Sequence, residues 1–188
     1  MIFVDRDILE QLETGQIVIQ PFDREALGTN SYDVHLAPLL RVYDVKSVAG
    51  VSCYLDVRQQ PETKDIVVPD GGVVLYPGEL YLASTIEYTE SHAHVPILNG
   101  KSSLGRLGLS IHVTAGTGDV GFCNHWTLEM TVIKPLKVYA GMPIGQILWF
   151  AASSRPLVPY GLKRDAKYAV ADSAPGASRM YKNFKEDL

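Results

Sequence analysis

The sequence predicts an all-β sandwich or barrel with minor helical pieces. Short β-like runs recur from residue 32 onward, broken by Gly, Pro, Asn and Asp. Helical patterns do not alternate with them, which argues against a parallel α/β fold. The chain has 188 residues, 46% hydrophobic and 20% charged, as expected for one globular domain spanning 1–188. No run approaches the roughly 18 apolar residues of a membrane span. Met1 to Asp7 is charged and precedes no apolar run, so no signal peptide is expected. Cys53 and Cys123 lie far apart without a C-x-x-C pattern and read as reduced thiols of a cytoplasmic protein.

The elements follow in order. Residues 1–15 read as an N-terminal helix: Asp5 as cap, Ile8, Leu9 and Leu12 on one face, Gly15 as stop. Strands are expected at Tyr32–Leu36, Val73–Tyr76, Leu80–Ser84, Val95–Leu98, Ile111–Ala115, Trp126–Ile133 and Ile144–Phe150. Pro77-Gly78 and Gly141-Met142-Pro143 are turn chemistry between them. Residues 173–188 are polar with small residues and Pro175. They read either as a disordered tail or as a segment that orders over a ligand.

Seventeen Lys plus Arg against twenty-one Asp plus Glu leave a net charge of −4. That argues against non-specific nucleic-acid binding or an anionic membrane surface, both of which need a basic face. It leaves a small anionic ligand open, because a few local cations or backbone amides suffice for one.

Three segments carry candidate chemistry. In Trp126–Ile133, alternation puts Trp126, Leu128, Met130 and Val132 on one face and Thr127, Glu129 and Thr131 on the other. The second face is either solvated or a pocket wall on which Glu129 is available for proton transfer. Gly100 to Gly108 packs Lys101, Arg106, Ser102, Ser103 and three glycines into nine residues. It is a plain turn or a loop whose amides, hydroxyls and cations hold phosphate. It is not a Walker A loop. Thr114 to Phe122 carries Asp119 and Phe122 on a Gly-rich stretch, either a hairpin loop or a sugar- or water-orienting turn. The pair His92-x-His94 reads as a polar edge, and H-x-E with P-C-x-x-C, the zinc deaminase signature, does not occur.

Together these segments resemble the dCTP deaminase and dUTPase superfamily. Ser31-Tyr32-Asp33 is similar to its first motif and Gly100–Gly108 to its second. Ala115–Asn124 is similar to the third and Gly141–Leu148, with Gln146, to the fourth. Thr127-Leu128-Glu129, Tyr160-Gly161, Lys167-Tyr168 and Ser178-Arg179 are similar to marks of the deaminase branch. The resemblance implies a distorted jelly-roll β-barrel, a homotrimer with sites between subunits, and zinc-free deamination of dCTP. It implies a nucleoside triphosphate carrying Mg²⁺ on its phosphates.

By residue matches, the resemblance makes Glu129 the general base, with Arg106 orienting water and Ser102 and Asp119 in the catalytic set. Lys101, Ser103, Lys167 and Arg179 are implied at the phosphates, with Leu104, Gly105 and Ala115 beside the nucleotide. Thr127 and Leu128 flank the base on its strand, and Tyr160 and Gln146 are further polar contacts. Asp119 is implied at the deoxyribose 3′-hydroxyl and Phe122 under the sugar, where it disfavours a 2′-hydroxyl. Thr114-Ala115-Gly116 and the Lys101–Arg106 run are similar to members that carry dCTP through to dUMP and diphosphate. Alternatives are a deaminase stopping at dUTP, one accepting dCDP or dCMP, a dUTPase without deamination, and a non-catalytic nucleotide sensor. The resemblance also implies dTTP as inhibitor, acting through the segment His112-Val113-Thr114-Ala115. The chain departs from the pattern with Asn124 for Gly, Gly118 for Ile or Val, and Ala169-Val170-Ala171 for Gln-Gly-Gln. If the backbone at 124 needs a positive φ, Asn is the best-tolerated substitute for Gly.

Overall fold

A computed structural model describes residues 1–45, 54–112 and 114–184. Cys53, Val113 and the last four residues of the expected tail lie outside the described residues. The chain runs α1 (Asp5–Glu13), β1 (Ile17–Gln20), β2 (Tyr32–Tyr43), β3 (Thr63–Val67), β4 (Val73–Leu75), β5 (Tyr81–Ser91) and β6 (His94–Gly100). It continues with α2 (Ser102–Arg106), β7 (Leu109–Ser110), β8 (Phe122–Val132), β9 (Leu136–Val138) and β10 (Pro143–Ala151). Single 3₁₀ turns stand at Arg24–Ala26, Tyr160–Leu162 and Met180–Asn183.

Eight strands form one sheet in the order β6-β10-β2-β5-β8-β7, with β1 added to β5 and β3 to β2. It curls into a nearly closed jelly-roll barrel, and β4 pairs β9 as a separate two-stranded sheet. The core inside contains Tyr32, Leu36, Leu98, Leu128, Met130, Ile147 and Trp149, all fully buried. Burial alternates along β8 from Asn124 to Val132 as the pleat requires. Turn chemistry behaves as read: Gly78 and Gly141 sit at φ +88° and +77°, where a side chain would be strained.

Two expectations need correction. Asp5 does not cap α1. The cap residue is Val4, whose N–H donates to Asp7 Oδ2 at 3.0 Å, while the Asp5 carboxylate accepts from Arg6 N–H. Nor does Ile111–Ala115 form a strand among its described residues. The Ile111 carbonyl accepts from Glu129 N–H at 2.7 Å, and the ring of His112 turns inward to the Leu98 carbonyl at 2.9 Å. The chain then crosses onto β6 through Leu98 N–H to Gly116 O and Gly118 N–H to Pro96 O.

Candidate active site

The outward face of β8 forms one wall of a cavity of about 390 Å³, within the roughly 300–1,000 Å³ range of small-molecule sites. Thr127 and Glu129 stand on this wall, so the second face of the strand lines a pocket and is not simply solvated. Ala115, Thr117, Asp119 and Phe122 also line it. Phe122 packs against Trp126 and Tyr160, with ring centroids 4.8 and 6.1 Å apart. The remaining wall is the C-terminal segment, including Tyr168, Asp172, Gly176 and Arg179.

That segment is held by side chains of the barrel. Ser84 Oγ donates to Ser173 O at 2.7 Å, and Gly176 N–H donates to Thr127 Oγ1 at 3.1 Å. Arg41 pairs bidentately with Asp65 and donates to Pro175 O at 2.8 Å. Ser178 N–H reaches Tyr43 Oη at 3.1 Å. Residues 173–178 are thereby tied to the barrel beside the cavity. The Arg179 guanidinium lies 5.2 Å from the Tyr168 ring centroid and donates to Lys167 O.

The sequence-derived site residues fall into two groups. Glu129, Asp119, Ala115, Phe122, Thr127, Tyr160 and Arg179 gather at the cavity. Lys101, Ser102, Ser103, Leu104, Gly105 and Arg106 do not line it. They form α2 and its cap, where Ser102, Ser103 and Arg106 are exposed. Lys101 is paired with Asp33, and Gln146 accepts from Ser31 Oγ at 3.1 Å, so the first, second and fourth motifs share this other region. Leu128, expected among the nucleotide contacts, has its side chain wholly in the core. Alternation sends it away from Thr127 and Glu129. Lys167 presents its carbonyl to Arg179 and does not line the cavity.

Position 124 does not need a left-handed backbone. It pairs with Thr89 in the β5–β8 ladder, so its backbone is extended and not left-handed. Histidines that look scattered in sequence are placed near the chemistry: His125 lines the cavity, and His112 lies within electrostatic reach of Glu129. Burial pushes the His112 imidazole below the usual histidine range, while the Glu129 charge pulls it up. The carbonyl partner fixes its Nε2 as the donor. Gly116 has a packing reason, since a Cβ there would stand 2.8 Å from His112 Nε2 and 2.9 Å from Leu98 O.

Among the described residues, Glu90, His92 and Cys123 bring metal-ligand atoms within 4.8 Å of one another. They lie outside the cavity lining, His92 Nε2 and Glu90 Oε2 are 2.6 Å apart, and Tyr88 Oη donates to Glu90 Oε1. Burial, and then the adjacent Glu90, push the Cys123 thiol up, which keeps it protonated.

Fold and cavity together define a jelly-roll β-barrel with a carboxylate-bearing pocket. The sequence matches the dCTP deaminase-like family over residues 2–152. A protein of Cytophaga hutchinsonii named "dCTP deaminase, dUMP-forming" is 40% identical over 99% of this chain and 100% of its own length. A Clostridium acetobutylicum protein of the same name is 46% identical over 71% of this chain and 73% of its own. The crystal structure of 2′-deoxycytidine 5′-triphosphate deaminase from Agrobacterium tumefaciens aligns with TM-score 0.61 at 19% identity. The alignment covers 80% of this chain and 48% of that longer one, and it speaks to the fold. The chain belongs to the dCTP deaminase-like family.

Proposed function

We propose that this chain converts dCTP and two waters to dUMP, ammonia and diphosphate in one site. The observation that carries this reading is that Glu129, Asp119 and Phe122 line one cavity. The full-length relative at 40% identity bears the corresponding name.

Glu129 takes a proton from the water that attacks C4 of cytosine and delivers it to the departing amine, a role typically worth about 10²–10⁴-fold. Phe122 underlies the deoxyribose and leaves no room for a 2′-hydroxyl, while Asp119 holds the 3′-hydroxyl and a second water for cleavage between the α- and β-phosphates. Tyr160 and Arg179 close the nucleotide from the C-terminal side. The triphosphate enters as its Mg²⁺ complex, the ion being held on the phosphates.

Lys101, Ser102, Ser103 and Arg106 meet the nucleotide from a neighbouring copy. The exposure of Ser102, Ser103 and Arg106 on α2, away from the cavity of their own chain, is the support for a homotrimer with shared sites. Leu107 and Ile133, 59% and 77% exposed beside α2, supply apolar surface for that contact. Lys167 and Gln146 are secondary contacts, and dTTP inhibits through the loop at His112. No nucleic acid or membrane partner is involved, and a deoxynucleoside triphosphate substrate places the reaction in the cytoplasm.

The test is a time course on purified protein with dCTP and Mg²⁺, resolving dUTP, dUMP, diphosphate and ammonia. Direct appearance of dUMP and diphosphate is expected. Accumulating dUTP would overturn the second half-reaction, and no turnover of dCTP, dUTP, dCDP or dCMP would overturn the first.

A further inference from the structure

Asn124 lies on β8, paired with Thr89, and is 7% exposed. A carboxamide offers two N–H groups and accepts at two oxygen lone pairs. Here all four are used. Nδ2 donates to Tyr168 O at 3.1 Å and to Val170 O at 3.2 Å. Oδ1 accepts from Asp172 N–H at 2.9 Å and from His125 N–H at 2.8 Å. Three alternate residues of a segment without regular structure thus satisfy their main-chain groups on one side chain, in place of a partner strand.

The contacts continue to the cavity. Tyr168 N–H donates to Tyr160 Oη at 3.0 Å, and Arg179 N–H donates to Tyr168 Oη at 3.0 Å. The Arg179 guanidinium covers the Tyr168 ring, so moving Tyr168 moves Arg179. The barrel contacts of Ser84, Arg41, Thr127 and Tyr43 hold residues 173–178. Among the described residues, Asn124 is the barrel side chain that hydrogen-bonds to the main chain of 168–172. Both places concerned depart from the family pattern. Ala169-Val170-Ala171 has no polar side chain to anchor itself, and Asn124 stands opposite with one to spare.

We propose that Asn124 is a positioning residue that clamps residues 168–172 to the barrel before nucleotide arrives and thereby sets Arg179 at the cavity. The link to substrate rests on the cavity being the nucleotide site; the clamp itself does not. The clamp acts on binding and leaves the water-activating carboxylate on its own rigid strand.

The experiment is amide hydrogen exchange on nucleotide-free, full-length protein, wild type against Asn124→Ala, with dCTP kinetics in parallel. Asn124→Asp is the second variant. It keeps an acceptor for Asp172 N–H but loses both donors to Tyr168 and Val170. In wild type the Asp172 amide is protected. In Asn124→Ala its exchange rises at least about tenfold, the equivalent of about 1.4 kcal/mol, while Gly176, the β5 amides and the β8 amides other than His125, which also loses its acceptor, stay protected. The KM for dCTP rises about five- to tenfold with kcat within about twofold, the pattern of lost uniform binding. Asn124→Asp raises KM while retaining part of the Asp172 protection. Equal Asp172 exchange in wild type and Asn124→Ala overturns the clamp. Faster exchange with unchanged KM, or an equal fall of kcat and kcat/KM, overturns its positioning role. Wild type that turns over no dCTP defeats the reading of the reaction, and the exchange result still decides the clamp.

Discussion

Gly118 and Trp126 are a fitted pair: a Cβ on Gly118 would stand 2.7 Å from Cη2 of the Trp126 indole. It would also lie 2.9 Å from Pro96 Cγ. The indole is 5% exposed, and its Nε1–H donates to Thr89 Oγ1 at 3.0 Å, so it has little freedom to retreat. This accounts for a glycine where the related pattern has Ile or Val. Gly118→Val is expected to cost about 1–3 kcal/mol, as overpacking usually does. Chemical denaturation measures it, and pairing the change with Trp126→Leu should recover part of the loss.

Glu129→Gln keeps the shape of the cavity wall and removes the carboxylate proposed as the base. Ammonia release from dCTP should fall by about 10²–10⁴-fold. Calorimetric nucleotide affinity should stay within a few-fold, because the uncharged side chain takes no part in holding phosphates.

The Glu87 carboxylate is 3% exposed and accepts from both His35 N–H and His35 Nδ1, at 2.8 and 2.6 Å. Glu87→Ala leaves both groups without this acceptor and should destabilise the barrel by about 3–5 kcal/mol. Glu87→Gln preserves one acceptor and should cost less. Urea unfolding of the two variants separates the cases.

Burial lowers His112 and His94 from the usual histidine value of 6.5, with Glu129 opposing the shift at His112. Between the lowered folded value and 6.5 the unfolded chain binds more protons, so stability rises with pH across that window. The contribution is complete above about 6.5 and is lost as pH falls through the folded value. The melting temperature should drop between pH 7 and 5.5. In His112→Gln, measured by the same scan, the slope should be shallower.

Much of this was legible from residue pattern. Alternation along β8 separated Leu128 from Glu129, and Pro77-Gly78 and Gly141 marked turns that the backbone adopts. Ile111–Ala115 misled because its apolar residues fit a strand. The hydrogen bonds that take it out of the ladder come from Leu98 and Glu129, neither adjacent in sequence. The ordered C-terminal segment was open for the same reason. Its anchors, Arg41, Tyr43, Ser84, Asn124 and Thr127, are far away in the chain, and each supplies a side-chain group to a backbone partner. The division of the motifs into a cavity group and an α2 group follows from strand order, which local pattern does not encode.

Adjacency on β8 has an evolutionary consequence. Leu128 and Glu129 share a peptide unit, one filling the barrel and the other facing the cavity. A substitution that repacks the interior for a hotter or colder habitat therefore also shifts the carboxylate by a fraction of an ångström. Adaptation of this enzyme to temperature should be sparing at residues 126–130 and should draw its changes from α1 and the β4–β9 pair, which do not line the cavity.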